Sequence, residues 1–201
     1  MARRLATVGY YLVLPNLYYR TGLLELNLSE AKRPGDPPRA PIRELSMSLT
    51  VDLVLDDTAA MFAYLATQPA ARSDAVACLG YCMSAQHAIN AAARYAERVR
   101  AAASIYGTWL MTDRADSPHL QARKASGELY FACAETDPWA PMELVQNLKN
   151  DLARSKVNAV VEVYPGAHHG FAFPQRPTYH KLAAERHWER LFALLKRRLP
   201  Y

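Results

Sequence analysis

Val76-Ala77-Cys78-Leu79-Gly80 is a short apolar run ending at a glycine, and Tyr81-Cys82-Met83-Ser84 follows before a helix-forming segment from Ala85 to Arg98. Few other folds of a chain accommodate that succession. An apolar run bounded by a turn signal reads as a buried strand, and the alanine-rich segment after it reads as a helix. Cys82 then stands at the apex of a strand-turn-helix, in the Gly-x-nucleophile-x-small pattern of a nucleophile elbow. Small residues are needed at Gly80 and Ser84 because the strand and helix backbones pass close together beside the turn. The turn pushes the sulfur outward, and a helix N-terminus behind it favours an anion there. The same five residues also suit a buried cysteine at an ordinary strand-helix junction, so the pattern alone does not decide.

The rest of the composition narrows the class. A chain of 201 residues, 51% hydrophobic and 21% charged, is read as a single globular domain over 1–201 with a substantial core. Its net charge of +5 is mild and the cations are scattered. The one local run, Lys196-Arg197-Arg198, closes a helix and suits its C-terminal dipole, so no nucleic-acid partner is expected. No apolar stretch approaches the roughly 20 residues that cross a bilayer, so no membrane association is expected either. Met1-Ala2-Arg3-Arg4 is basic but precedes no secretion-type apolar segment. Cys78, Cys82 and Cys133 are odd in number and lack metal-ligand spacing, which fits reduced thiols in a cytoplasmic protein.

In chain order, residues 1–8 read as the end of a helix stopped by Gly9, and Tyr10 to Leu14 as a strand ended by Pro15. Five prolines and glycines among residues 29–44 mark an irregular excursion, and the apolar spacing from 45 to 67 predicts one helix. Strands follow at Val76–Tyr81, Ala101–Tyr106, Leu129–Ala134 and Val157–Tyr164, the last ended by Pro165-Gly166. Pro141 opens a helix, and 178–199 form a closing one. Strand and helix alternate, which predicts an α/β fold with a mostly parallel sheet and helices on both faces.

Cys82, Asp137 and His169 each come directly after a different strand. Loops after parallel strands converge on one sheet edge, and the order nucleophile, acid, histidine is that of the α/β-hydrolases. His169 would exchange the thiol proton, Asp137 would hold its tautomer, and Cys82 would attack a carbonyl. Three stretches, Gly80 to Ser84, Glu135-Thr136-Asp137-Pro138-Trp139-Ala140-Pro141 and Tyr164 to Phe171, resemble the dienelactone hydrolase family, and the likeness spans nearly the whole chain. Pro15 to Arg20 is similar to a strand-end segment of that family, with Asn16 where aspartate is usual.

The resemblance implies an α/β-hydrolase-like three-layer sandwich and hydrolysis of a small ester or lactone through a thioester, without metal or cofactor. It places the catalytic cysteine, aspartate and histidine on Cys82, Asp137 and His169, and a substrate-carboxylate arginine on Arg20. A second family arginine falls on Phe173, which points away from dicarboxylate substrates. Family members also carry further strands at the front, one of them beside the elbow strand and followed by a loop that donates an oxyanion-hole amide. That portion would precede Met1, so the sheet is expected to be N-terminally incomplete, with Met83 N–H as the remaining oxyanion donor. An incomplete sheet is in turn expected to favour homo-oligomers.

Tyr18, Tyr81, Trp109, Trp139 and Phe171 read either as the apolar wall of a substrate pocket or as core. Cys78 and Cys133 read as core, and Arg20 also reads as half of a surface ion pair. His168 rivals His169, but the residue directly before Gly170-Phe171 carries the resemblance. The competing functional readings are a catalytically silent relative kept as a binding domain, or a truncated gene product. A glutamine amidotransferase fits less well, because its acidic residue would stand at Phe171.

Overall fold

Among the described residues, apolar and β-branched runs become four parallel strands in the spatial order β1-β2-β3-β4. The computed structural model describes residues 1–22 and 40–200. The strands are β1 (Val76–Tyr81), β2 (Val99–Ile105), β3 (Glu128–Thr136) and β4 (Ala159–His168). Between and around them run α1 (Ala2–Ala6), α2 (Ala40–Ser48), α3 (Val51–Ala66), α4 (Ala85–Arg94), α5 (Pro118–Ala122), α6 (Met142–Arg154) and α7 (Lys181–Arg198).

Both sheet faces are covered, which is why the strands carry apolar residues at nearly every position. Ala101, Ala103 and Ile105 of β2, with Tyr130, Ala132 and Ala134 of β3, face Trp188, Leu191 and Leu194 of α7 and Leu5 of α1. The alternate residues Ala102, Leu129, Phe131 and Cys133 face Ile89 and Ala92 of α4 and Leu148 and Leu152 of α6. This is the three-layer α/β arrangement expected from the alternation of elements. Glu162 of β4 accepts from Arg186 at 2.5 Å and Arg190 at 3.0 Å, while Glu128 of β3 accepts from Arg197 at 2.7 Å and Arg198 at 2.8 Å. These pairs fasten α7 along the sheet.

Several expected elements differ. Tyr10–Leu14 is not a strand: the chain is irregular there and joins no ladder among the described residues. Its branched and aromatic side chains have a packing use instead, since Tyr10 and Leu12 lie against the α7-side core. A strand needs a hydrogen-bonded neighbour, which side-chain type alone cannot supply. The helix expected over 45–67 is two helices, because Thr50 leaves helical geometry and its Oγ1 caps Leu53 N–H at 3.2 Å. Of the excursion expected at 29–44, positions 29–39 lie outside the described residues, and α2 has begun by Ala40. The segment after the elbow stops being helical at Arg94 rather than Arg98. Pro165-Gly166 does not end β4, which continues to His168.

Candidate active site

The elbow is built as its spacing requires. Cys82 has φ 57°, a left-handed conformation uncommon for a residue with a Cβ. A Cβ on Gly80 would overlap Ser84 O and stand 2.5 Å from Ala85 Cα, so only glycine lets strand and helix cross here. Ser84 does more than stay small: its Oγ accepts from Tyr81 N–H at 2.9 Å and donates to Tyr81 C=O at 2.9 Å. Thr108 N–H donates to Cys82 C=O at 3.2 Å and ties the turn to the loop after β2.

Asp137 and His169 come side by side because Thr136 and His168 are partners in the β3–β4 ladder. That pairing depends on a bulge. Between the pairs Ala134–Tyr164 and Thr136–His168, β3 advances two residues and β4 advances four. Gly166, at φ 68°, carries the bulge, and its N–H donates to Glu135 Oε2 at 2.8 Å.

Three side chains from three strand ends then form one hydrogen-bonded chain. His169 Nδ1–H donates to Asp137 Oδ2 at 2.8 Å, and His169 Nε2 lies 3.1 Å from Cys82 Sγ. A carboxylate only accepts, so the Asp137 bond places one ring proton on Nδ1 and directs Nε2 at the sulfur. Asp137 has a wholly buried side chain and its second oxygen accepts from Trp139 N–H at 2.9 Å. Burial works against a charged ring at His169. Its hydrogen bonds to Asp137 and Cys82, and their negative charges, outweigh burial and carry its pKa up to about 9.

The other candidates are distributed differently. Met83 follows the nucleophile position, and its Sδ accepts from Tyr18 hydroxyl at 2.9 Å and from Ser46 Oγ at 3.3 Å. Arg20 is engaged by the protein itself: both terminal nitrogens reach Asp57 at 2.7 Å, and the guanidinium lies 4.4 Å from the Tyr19 ring centre. The surface ion-pair reading of Arg20 therefore holds in this structure. Phe171 is 0% exposed and belongs to the α7-side core, the second of the two readings open to it. Its neighbour Gly170 turns the chain inward after His169 at φ 87°. Tyr81 is half-buried and bonds His187 Nε2 through its hydroxyl at 3.3 Å. Trp109 and Trp139 remain well exposed. A cleft of about 530 Å³ opens beside the acid–histidine pair, with walls from Glu135, Pro138, Pro141, Met142 and His168 and none of the five expected aromatics.

Tyr106 went unmarked in the sequence reading, although it directly follows β2 and precedes a glycine at the same sheet edge as Cys82. Its ring centre lies 5.1 Å from that of His169. Among the described residues, no three His, Cys, Asp or Glu side chains are grouped to hold a metal ion, and no helix is long and apolar enough to cross a membrane.

A parallel sheet covered on both faces, with a positive-φ cysteine elbow after β1 and an aspartate–histidine pair after β3 and β4, defines an α/β-hydrolase-type protein. The comparison with known families is more specific. The model of the dienelactone hydrolase family matches residues 1–199, and the chain belongs to that family. It is 28% identical to a candidate carboxymethylenebutenolidase of Synechocystis sp., over 99% of this chain and 79% of that protein. A protein of the same description from Escherichia coli K12 is 26% identical over 98% of this chain and 70% of its own length. Among solved structures, a candidate dienelactone hydrolase from Klebsiella pneumoniae superposes with a TM-score of 0.81 at 24% identity, covering 96% of this chain and 77% of that one. The last likeness shows the fold.

Proposed function

We propose that this chain is a cysteine-dependent hydrolase of small carboxylic esters or lactones, with Cys82, His169 and Asp137 as its catalytic groups. The observation that carries the reading is the continuous contact Asp137–His169–Cys82 at 2.8 and 3.1 Å. The relatives' description as carboxymethylenebutenolidases supports an ester or lactone substrate.

In the acylation step Cys82 Sγ attacks the carbonyl carbon while the proton it shares with His169 already rests on Nε2, in keeping with the raised pKa of that ring. The carbonyl oxygen becomes an oxyanion facing the backbone N–H of Met83, the donor one residue past the nucleophile. When the intermediate collapses, the carbon–oxygen bond to the leaving alkoxide breaks and Nε2–H returns the proton to that oxygen. A thioester on Cys82 remains. Water then attacks the thioester carbon while Nε2 takes its proton, the carbon–sulfur bond breaks, and the acid leaves with the proton again shared by Nε2 and the sulfur. Asp137 stays ionised throughout and steadies the imidazolium each time it forms.

The test is turnover of p-nitrophenyl acetate together with intact-protein mass during turnover. The wild-type chain should show a single acetyl adduct that maps to Cys82. Cys82→Ala should lose both the adduct and the turnover, because among the described residues no other nucleophile lies against the His169 ring nitrogen. Turnover retained by Cys82→Ala would overturn the assignment.

A further inference from the structure

His187 is a buried imidazole that the reaction steps do not use. It stands on α7 at 0% exposure, and Trp188, Leu191 and Leu194 of the same helix are buried beside the sheet as apolar groups. A leucine at 187 would be buried without stripping water from two ring nitrogens, so what those nitrogens meet matters. Nδ1 faces Ala184 C=O, which only accepts, so Nδ1 carries the ring proton. Burial lowers the pKa of the ring to about 4, which leaves Nε2 bare at neutral pH. Tyr81 hydroxyl, 3.3 Å from Nε2, is therefore the donor, and burial keeps that phenol protonated.

Tyr81 in turn bears on both groups that react. Its N–H donates to Ser84 Oγ at 2.9 Å, Ser84 Oγ donates back to its C=O at 2.9 Å, and it pairs with Ile105 in the β1–β2 ladder. The next residue is Cys82, so a displacement of Tyr81 reaches the nucleophile through one planar peptide unit. The ring of Tyr81 also lies 5.9 Å from that of Tyr106, and the Tyr106 ring lies 5.1 Å from His169. Ring contacts thus run from His187 through Tyr81 and Tyr106 to His169. Apolar packing along this row is non-directional, whereas the bond to Nε2 fixes where the end of the Tyr81 ring stands.

We propose that Tyr81 and His187 are positioning residues, whose bond ties α7 to the elbow and sets the separation of Cys82 Sγ from His169 Nε2. Tyr81 thereby acts from behind the nucleophile and not as a wall of the substrate pocket. The proposal rests on the reading of Cys82 as the nucleophile. Misplacing either reacting group weakens attack and proton transfer while ester binding is kept, so the effect falls on kcat.

The experiment follows p-nitrophenyl acetate turnover, the rate of Cys82 alkylation by iodoacetamide at pH 7 and the thermal midpoint in Tyr81→Phe, His187→Leu and the double variant. Tyr81→Phe keeps the ring and removes the tie. It should lower kcat about five- to tenfold, leave KM within about twofold and slow Cys82 alkylation about threefold or more. His187→Leu strands a buried hydroxyl, so it should lower the midpoint as well as kcat. The double variant removes both polar ends: its midpoint should recover above that of His187→Leu while kcat stays at the Tyr81→Phe level. Recovery of kcat together with the midpoint would show a stabilising bond only and overturn the proposal. So would a Tyr81→Phe kcat within about twofold of wild type, an unchanged alkylation rate, or a rise in KM that accounts for the loss. Cys82→Ala in the same assay separates the two readings. Turnover surviving in that variant overturns the nucleophile, whereas Cys82-dependent turnover indifferent to Tyr81→Phe overturns the tie alone.

Discussion

Three cysteines of one chemistry meet three environments here, and the environment decides which can react. Burial pushes the thiols of Cys78 and Cys133 up to about 12, even though Cys78 as a residue is only half-buried. Cys82 instead sits on a positive-φ turn within 3.1 Å of an imidazole. Iodoacetamide at neutral pH should therefore modify Cys82 at least about tenfold faster than the other two, since the thiolate is the reacting form. Peptide mapping that finds Cys78 or Cys133 modified first would refute the elbow assignment. The turn at Cys82 was legible because glycine, cysteine and serine at fixed spacing each answer a local geometric need. Arg20 was not legible in that way. Its partner Asp57 lies on α3, and no local pattern announces which carboxylate a surface arginine will meet. The choice between wall and core for Phe171 was open for a related reason: an aromatic two residues after His169 packs inward or outward according to the turn at Gly170, which depends on tertiary contacts.

The elements are positioned by close backbone approaches, and these show where the fold tolerates no change. Gly80→Ala would force the elbow strand away from the first turn of α4, because the atoms in the way are Ser84 O, Ala85 N and Ala85 Cα, all backbone. The expected cost is about 1–3 kcal/mol in urea unfolding, with a loss of turnover larger than that cost explains, since Cys82 moves with the turn. An unchanged urea midpoint would contradict the packing argument. That junction could be read from the chain because strand, turn and helix signals are contiguous. The β4 bulge could not. Pro165-Gly166 is a legitimate stop signal, and only the ladder with β3 and the bond from Gly166 N–H to Glu135 convert it into a two-residue offset within a continuing strand. Tyr10–Leu14 shows the opposite error: strand-forming side chains are present, but among the described residues no neighbouring strand completes the ladder.

Across the whole molecule, three histidines set opposing limits on stability. His169 has its pKa raised to about 9, so its contribution is complete below the unfolded value near 6.5 and is lost as pH rises through about 9. His187, 0% exposed between Tyr81, Phe171 and Trp188, has its pKa lowered to about 4, chiefly by burial. His87 is likewise lowered to about 4 by burial and by the Arg114 charge, and its ring nitrogens have no partner among the described residues. For these two the unfolded chain binds the proton more readily, so stability falls as pH drops from about 6.5 towards 4. Below that range the carboxylates of Glu128 and Glu162 add to the loss. Burial opposes their charge, but their bonds from α7 arginines outweigh it and hold both pKa values below the ordinary range. The urea midpoint should therefore peak near pH 6.5 and decline on both sides. The two limbs have separate owners. His169→Gln removes the titrating ring and should flatten the alkaline limb between pH 6.5 and 9 while leaving the acid one. His187→Gln should lower the midpoint overall, because Tyr81 loses its partner, and should make the decline from pH 6.5 to 4 shallower. A His169→Gln profile that keeps the wild-type alkaline slope would show that the pairing of His169 with Asp137 and Cys82 does not hold the ring's charge in the folded protein.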